Sequence, residues 1–115
     1  MTEGFRPDIP QSVLDQIYAA IDAEIYVISP HVALRAAQYG YSLADAVRVA
    51  RRGTPIEWYP DRNRALFAGQ VTIEGRVTWL HVVIGYARHV PVGLATAYVP
   101  NPTEWVDPPI RRRTP

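Results

Sequence analysis

The sequence predicts an α+β domain, with two or three N-terminal helices on one face of an antiparallel sheet of about four strands. Three observations predict it. Apolar residues recur at helical spacing up to Gly53 and at period two from Thr54 onward. The strand candidates are joined by short polar breaks, which favour an antiparallel meander. The chain has 115 residues, 48% of them hydrophobic, which is enough for one core and too few for two.

The elements follow in order. Residues 1–10 read as an irregular lead-in. Leu14, Ile17, Tyr18 and Ile21 fall at i, i+3, i+4 and i+7, so an amphipathic helix is expected over about 11–23. Its apolar stripe is expected either on the domain itself or in a dimer contact. Ile25-Tyr26-Val27-Ile28 is β-prone and reads as a brief strand or as the approach to Ser29. Ser29 suits an N-cap and Pro30 a first helical position, so a second helix runs to about Tyr39, with Gly40 at its end. Ser42 and Asp45 have capping-box spacing, and Leu43, Ala46, Val47 and Ala50 supply a third helical stripe that Gly53 can end. Strands are expected at 55–59, 64–73, 76–86 and 92–99, broken by Pro60-Asp61-Arg62-Asn63, Glu74-Gly75 and Arg88-His89-Val90-Pro91. In the third of these, Leu80, Val82 and Ile84 share one face, and Trp79, His81 and Val83 the other. From Asn101 the chain is rich in Pro, and 106–115 reads as a Pro/Arg-rich tail beyond a domain at 11–105.

Composition excludes several classes. No apolar run approaches the ~20 residues that span a bilayer. Met1-Thr2-Glu3-Gly4 offers no basic n-region and no apolar h-region, so no export signal is expected and a cytoplasmic setting fits. Cysteine is absent, which excludes disulfides and thiolate metal sites. All 12 basic residues are Arg and the net charge is only +1, so there is no global signal for nucleic acid. No Walker loop, GxGxxG, HExxH or GxSxG occurs.

Candidate chemistry is confined to a few side chains. His31 falls in the first turn of the second helix, with Arg35 on the same face at i+4, a pairing that suits an anion. Arg48, Arg51 and Arg52 read as a solvated helix end or as a phosphate rim. His81 lies mid-strand, and His89 in a turn reads as plain surface; a metal site from His31 and His81 would need a third ligand, and neither metal nor cofactor is expected. Tyr59 ends a strand and can orient a phosphate or assist proton transfer. Arg62 and Arg64 flank the following turn and can reach the same ligand, while Thr96 and Tyr98 share one face of the last strand and, on pattern alone, are ordinary strand residues.

Taken in order, His31…Arg35, Gly40-Tyr41-Ser42-Leu43-x-Asp45, Gly53-x-x-Ile56-Glu57-x-Tyr59-Pro60-Asp61, Leu66-Phe67-x-Gly69, Leu80-His81-Val82-Val83, Thr96-Ala97-Tyr98-x-Pro100 and Trp105 resemble the bacterial family called domain of unknown function 4258. The resemblance covers about Val27 to Trp105 and leaves the 11–23 helix outside. Tyr39-Gly40 departs from the Arg-Gly frequent in that family. The family is similar to the RelE/ParE toxin superfamily, which implies a helix pair on a curved antiparallel sheet.

Two functional readings follow from the resemblance and the residues. One is a metal-independent, toxin-like endoribonuclease that cleaves RNA by 2′-OH attack, with His31, Arg35, Tyr59 and His81 catalytic and Arg62, Arg64, Thr96 and Tyr98 holding substrate. Its partners would be RNA and a cognate antitoxin. The other is a non-catalytic protein- or nucleic-acid-binding module in which the His31–Arg35 pair clamps an internal carboxylate such as Glu57. A homodimer fits either, and no membrane partner is expected.

Overall fold

The computed structural model describes residues 8–113. Residues 1–7 of the expected lead-in and the last two of the expected tail lie outside them. The elements are α1 (Gln11–Asp22), β1 (Tyr26–Ile28), α2 (Pro30–Tyr39), α3 (Leu43–Arg52), β2 (Thr54–Tyr59), a 3-10 turn (Pro60–Arg62), β3 (Arg64–Ile73), β4 (Arg76–Gly85) and β5 (Val92–Tyr98). The class is α+β, with helices first and the strand run after.

Local chemistry fixes the helix ends. Ser29 Oγ accepts from the Val32 amide at 3.1 Å, and its hydroxyl donates to the Ala95 carbonyl at 3.0 Å. The same side chain therefore caps α2 and ties it to β5. Gly40 closes α2 at φ +90°, a conformation that favours glycine. Ser42 Oγ accepts from the Asp45 amide at 2.9 Å and caps α3. At Gly53 a Cβ would lie 2.4 Å from the Val49 carbonyl and 2.6 Å from that of Ala68. The end of α3 thus rests directly on β3, with no room for a side chain.

The sheet has five strands in the order β1-β5-β4-β3-β2. Strands β2 to β5 form the antiparallel meander, while β1 pairs parallel with β5 through Val27↔Gly93. The expected purely antiparallel sheet of about four strands is thus corrected to a mixed one. The apolar Tyr26–Ile28 segment gains a parallel neighbour because the two helices after it carry the chain to the far edge of the sheet.

The helices bury Ile17, Val32, Ala46 and Ala50 against Phe67, Leu80, Val82 and Ile84 on one face. The α1 stripe packs on its own domain: Ile17 is wholly buried, the Tyr18 ring lies 6.2 Å from that of Phe67, and Arg51 forks onto Asp22 at 2.7 and 3.1 Å.

The opposite face has its own core. Ile56, Leu66, Ala68 and Val83 are buried there beneath Trp105, with Ile110 packed alongside. Residues 101–113 therefore do not trail away as the expected tail. They fold back over the sheet, because the β3 and β4 residues beneath them are apolar on both faces and water must be kept from the second as well. Trp105 pairs with Arg112 in an isolated antiparallel bridge, and the Arg113 amide donates to the Glu104 carbonyl at 2.8 Å.

Trp105 retains 2% of its surface. Trp105→Ala should therefore cost about 3–5 kcal/mol in urea denaturation, as truncation of a buried aromatic does. A cost below about 1 kcal/mol would show that the strap adds nothing to the fold.

Candidate functional site

The polar residues with chemical potential gather on the sheet face opposite the helices. Cross-strand register sets them in rows. One row is Glu57, Leu66, Val83 and Thr96; the next toward the strap places Ala68, His81 and Tyr98 side by side. The C-terminal strap lies over both.

His81 is the centre of this covered region. It has no exposed surface. The Pro109 carbonyl at 2.7 Å can only accept, so Nε2 carries a proton, and in the neutral ring Nδ1 accepts from the Tyr98 hydroxyl at 3.4 Å. The Trp105 ring stands edge-on at 4.4 Å and the Tyr98 ring at 5.3 Å. Burial lowers the His81 pKa below the ordinary 6.5; Arg112 adds to this, while the Pro109 hydrogen bond and the Glu57 charge oppose it.

Glu57 anchors the far side. Arg112 grips it bidentately, Nε to Oε2 at 2.6 Å and Nη2 to Oε1 at 3.1 Å, and its guanidinium also lies 4.5 Å from the Trp105 ring centroid. The Tyr59 hydroxyl donates to the same carboxylate. Burial and then the Glu57 contact push Tyr59 far above the ordinary tyrosine range. Tyr98 is raised as well, by burial first.

Of the four residues assigned to catalysis from sequence, the structure puts Tyr59 and His81 on the same sheet face but in separate pairs, Tyr59 with Glu57 and His81 with Tyr98, which are linked through Arg112 and Trp105. It leaves His31 and Arg35 apart. His31 is exposed on α2, and Arg35 hydrogen-bonds Gln38 at 3.2 Å on the same helix. The expected clamp of Glu57 by the His31–Arg35 pair is corrected: Glu57 is held by Arg112. Sequence reasoning missed Arg112, Trp105 and Pro109 as members of the cluster. A usable signal was present, since Leu66-Phe67-Ala68 and Leu80–Ile84 contain almost no polar residue on either face and so require a second cover.

The other end of the same face is open. Arg62, Arg64, Val27, Val90, Gly85 and Ala95 border a cavity of about 280 Å³. Arg62 and Arg64 are exposed and have no carboxylate partner among the described residues. A second, larger cavity of about 420 Å³ lies between Trp79 and the strap, with an apolar lining of Pro100, Pro102 and Pro109. Among the described residues no three His, Asp or Glu side chains gather as a metal site, and no helix is long and apolar enough to cross a membrane. No family model, curated protein or solved structure matches the chain.

The buried neutral His81 gives a pH signature with a definite sign. Its folded pKa lies below its unfolded one, so the unfolded chain binds the extra proton more readily. Stability is therefore full above pH 6.5 and is lost as pH falls below that value toward the folded pKa. Urea midpoints should drop across this window. His81→Gln, which keeps a donor for Pro109 and cannot titrate, should flatten the drop. A wild-type midpoint unchanged from about pH 7 to about pH 5 would show that His81 is not the buried neutral group described.

Proposed function

We propose that this chain is a RelE-like module that binds an anionic partner, single-stranded nucleic acid, without cleaving it. The fold kinship rests on the helices gathered on one face, the β2–β5 meander and the order of motifs from Val27 to Trp105. The observation that carries the non-catalytic reading is His81, with no exposed surface and both ring nitrogens occupied. A general acid or base must reach the proton that it moves. His81 reaches only the Pro109 carbonyl of the strap and the Tyr98 hydroxyl of β5. Tyr59 is committed to Glu57 with its pKa raised, so it holds its proton at neutral pH. The exposed His31 has neither of these groups beside it.

What supports binding is the open end of the same face. Arg62 and Arg64 lie at the β2–β3 turn, and Arg88 follows β4 near Asn63 and Tyr86. Guanidinium groups with no carboxylate partner among the described residues suit phosphodiesters, and their contribution weakens with salt. With a net charge of only +1, this local cluster and not the whole chain must supply the attraction.

Incubation of the full chain with labelled single-stranded RNA in the presence of a chelator tests the reading. The expected result is intact RNA together with salt-sensitive binding by fluorescence anisotropy. Arg62→Gln and Arg64→Gln should each weaken that binding about tenfold, the worth of one charge-assisted contact. Metal-independent cleavage lost in His31→Ala or His81→Gln would establish the ribonuclease reading instead.

A further inference from the structure

One register row of the sheet is unlike the others. Reading across the strands, it runs Tyr59, Arg64, Gly85, Gly93, Val27. Its side chains point away from the helices, since Ala65, Ile84 and Leu94 next to them belong to the helical core. The centre of this row is two adjacent glycines on neighbouring strands. A side chain at Gly85 would meet nothing within 4 Å, whereas one at Gly93 would meet Val27 Cγ2 at 2.9 Å. The result is a strip of bare backbone between a guanidinium and an apolar wall.

Three strand spacings separate Arg64 from Val27, about 14 Å between their Cα positions. Arg62 adds a second cation at the Arg64 end, and Val90 and Pro91 extend the apolar side of the cavity. Val27 and Val90 are 55% and 59% exposed and border the cavity together. Glycine inside a strand marks a bulge or a place where another group approaches the backbone closely: at Gly93 that group is Val27, and Gly85, which follows the Val83/Ile84 register shift, is left with open space above it. A group that enters this space must be thin enough to lie on the peptide planes, apolar enough to lie against two valines, and attached to an anion at one end.

We infer that this cavity binds a phosphate monoester of a flat ring system, a nucleoside monophosphate. The phosphate lies on Arg62 and Arg64, which offer forked donors for its oxygens. The ring lies on the Gly85–Gly93 backbone against Val27 and Val90. Such a ligand fits within the cavity of about 280 Å³. The inference rests on the anion-binding reading above and narrows it from a strand of nucleic acid to a single nucleotide unit.

Titration of the full ¹⁵N-labelled chain with uridine or adenosine monophosphate tests it, with inorganic phosphate and the bare nucleosides as controls. Saturable shifts are expected at the Gly85 and Gly93 amides with the monophosphates. Phosphate alone and nucleoside alone should each bind at least tenfold more weakly. Gly85→Leu has room in the fold and fills the strip, so it should abolish binding with an unchanged thermal midpoint. Arg64→Gln, on an exposed side chain, should weaken binding about tenfold and serves should the leucine variant fail to fold. Absence of shifts at both glycines at millimolar nucleotide overturns the proposal. So does inorganic phosphate binding as tightly as the nucleotides, or retention of binding in a folded Gly85→Leu. RNA binding that persists while the nucleotides fail would remove this pocket and leave the module reading intact. RNA cleavage would remove that reading whatever the nucleotides do.

Discussion

The structure depends on one constraint: β3 and β4 are apolar on both faces, and the helices cover only one. Ala65 to Ala68 are buried without a break, as are Leu80 to Ile84. A strand with one wet face alternates in polarity; one buried on both faces does not. Water must be kept from Leu66, Ala68 and Val83 by something other than a helix. The C-terminal strap does this with Trp105, and the polar interior that results needs its own partners. His81 finds them in Pro109 and Tyr98, and Glu57 finds them in Arg112 and Tyr59. Each pairing satisfies a group that would otherwise oppose burial.

This dependence explains what could be read from the chain and what could not. The helix starts at Ser29 and Ser42, the left-handed Gly40 and the alternation of β4 are local, and each stood in the sequence at its observed place. The parallel pairing of Val27 with Gly93 is not local. It is decided by where two intervening helices deliver the chain, and three β-prone residues carry no record of that. The strap was harder still. Pro100, Pro102, Pro108 and Pro109 have the composition of a linker, and Arg111-Arg112-Arg113 that of a solvated end. Only the missing polarity on the far face of β3 and β4 says that this segment is needed as a wall.

The candidate site was legible to the same degree. Tyr59, His81 and Tyr98 were recognisable as chemistry-bearing side chains, and period two set His81 on the face opposite Leu80, Val82 and Ile84. Their company was not recognisable, because it comes from residues about 30 to 55 positions away in a segment that resembles a tail. The His31–Arg35 pair shows the opposite failure. Helical spacing put the two on one face, but spacing says nothing about what stands opposite. In the structure that face meets solvent on His31 and a neighbouring glutamine on Arg35.

The second face is thus divided between two solutions to one problem. Where side chains are large and apolar, the strap covers them and converts a row of titratable groups into internal ties. Where the row narrows to Gly85 and Gly93, there is little apolar side-chain surface to hide, and the strap does not reach across. Backbone can stay wet at little cost, since water satisfies what the ladder does not. The bare strip is therefore tolerated by the fold but not required by it: a Cβ at Gly85 would meet nothing within 4 Å. Its emptiness, beside two arginines with no carboxylate partner among the described residues, is the feature on which the binding proposal rests.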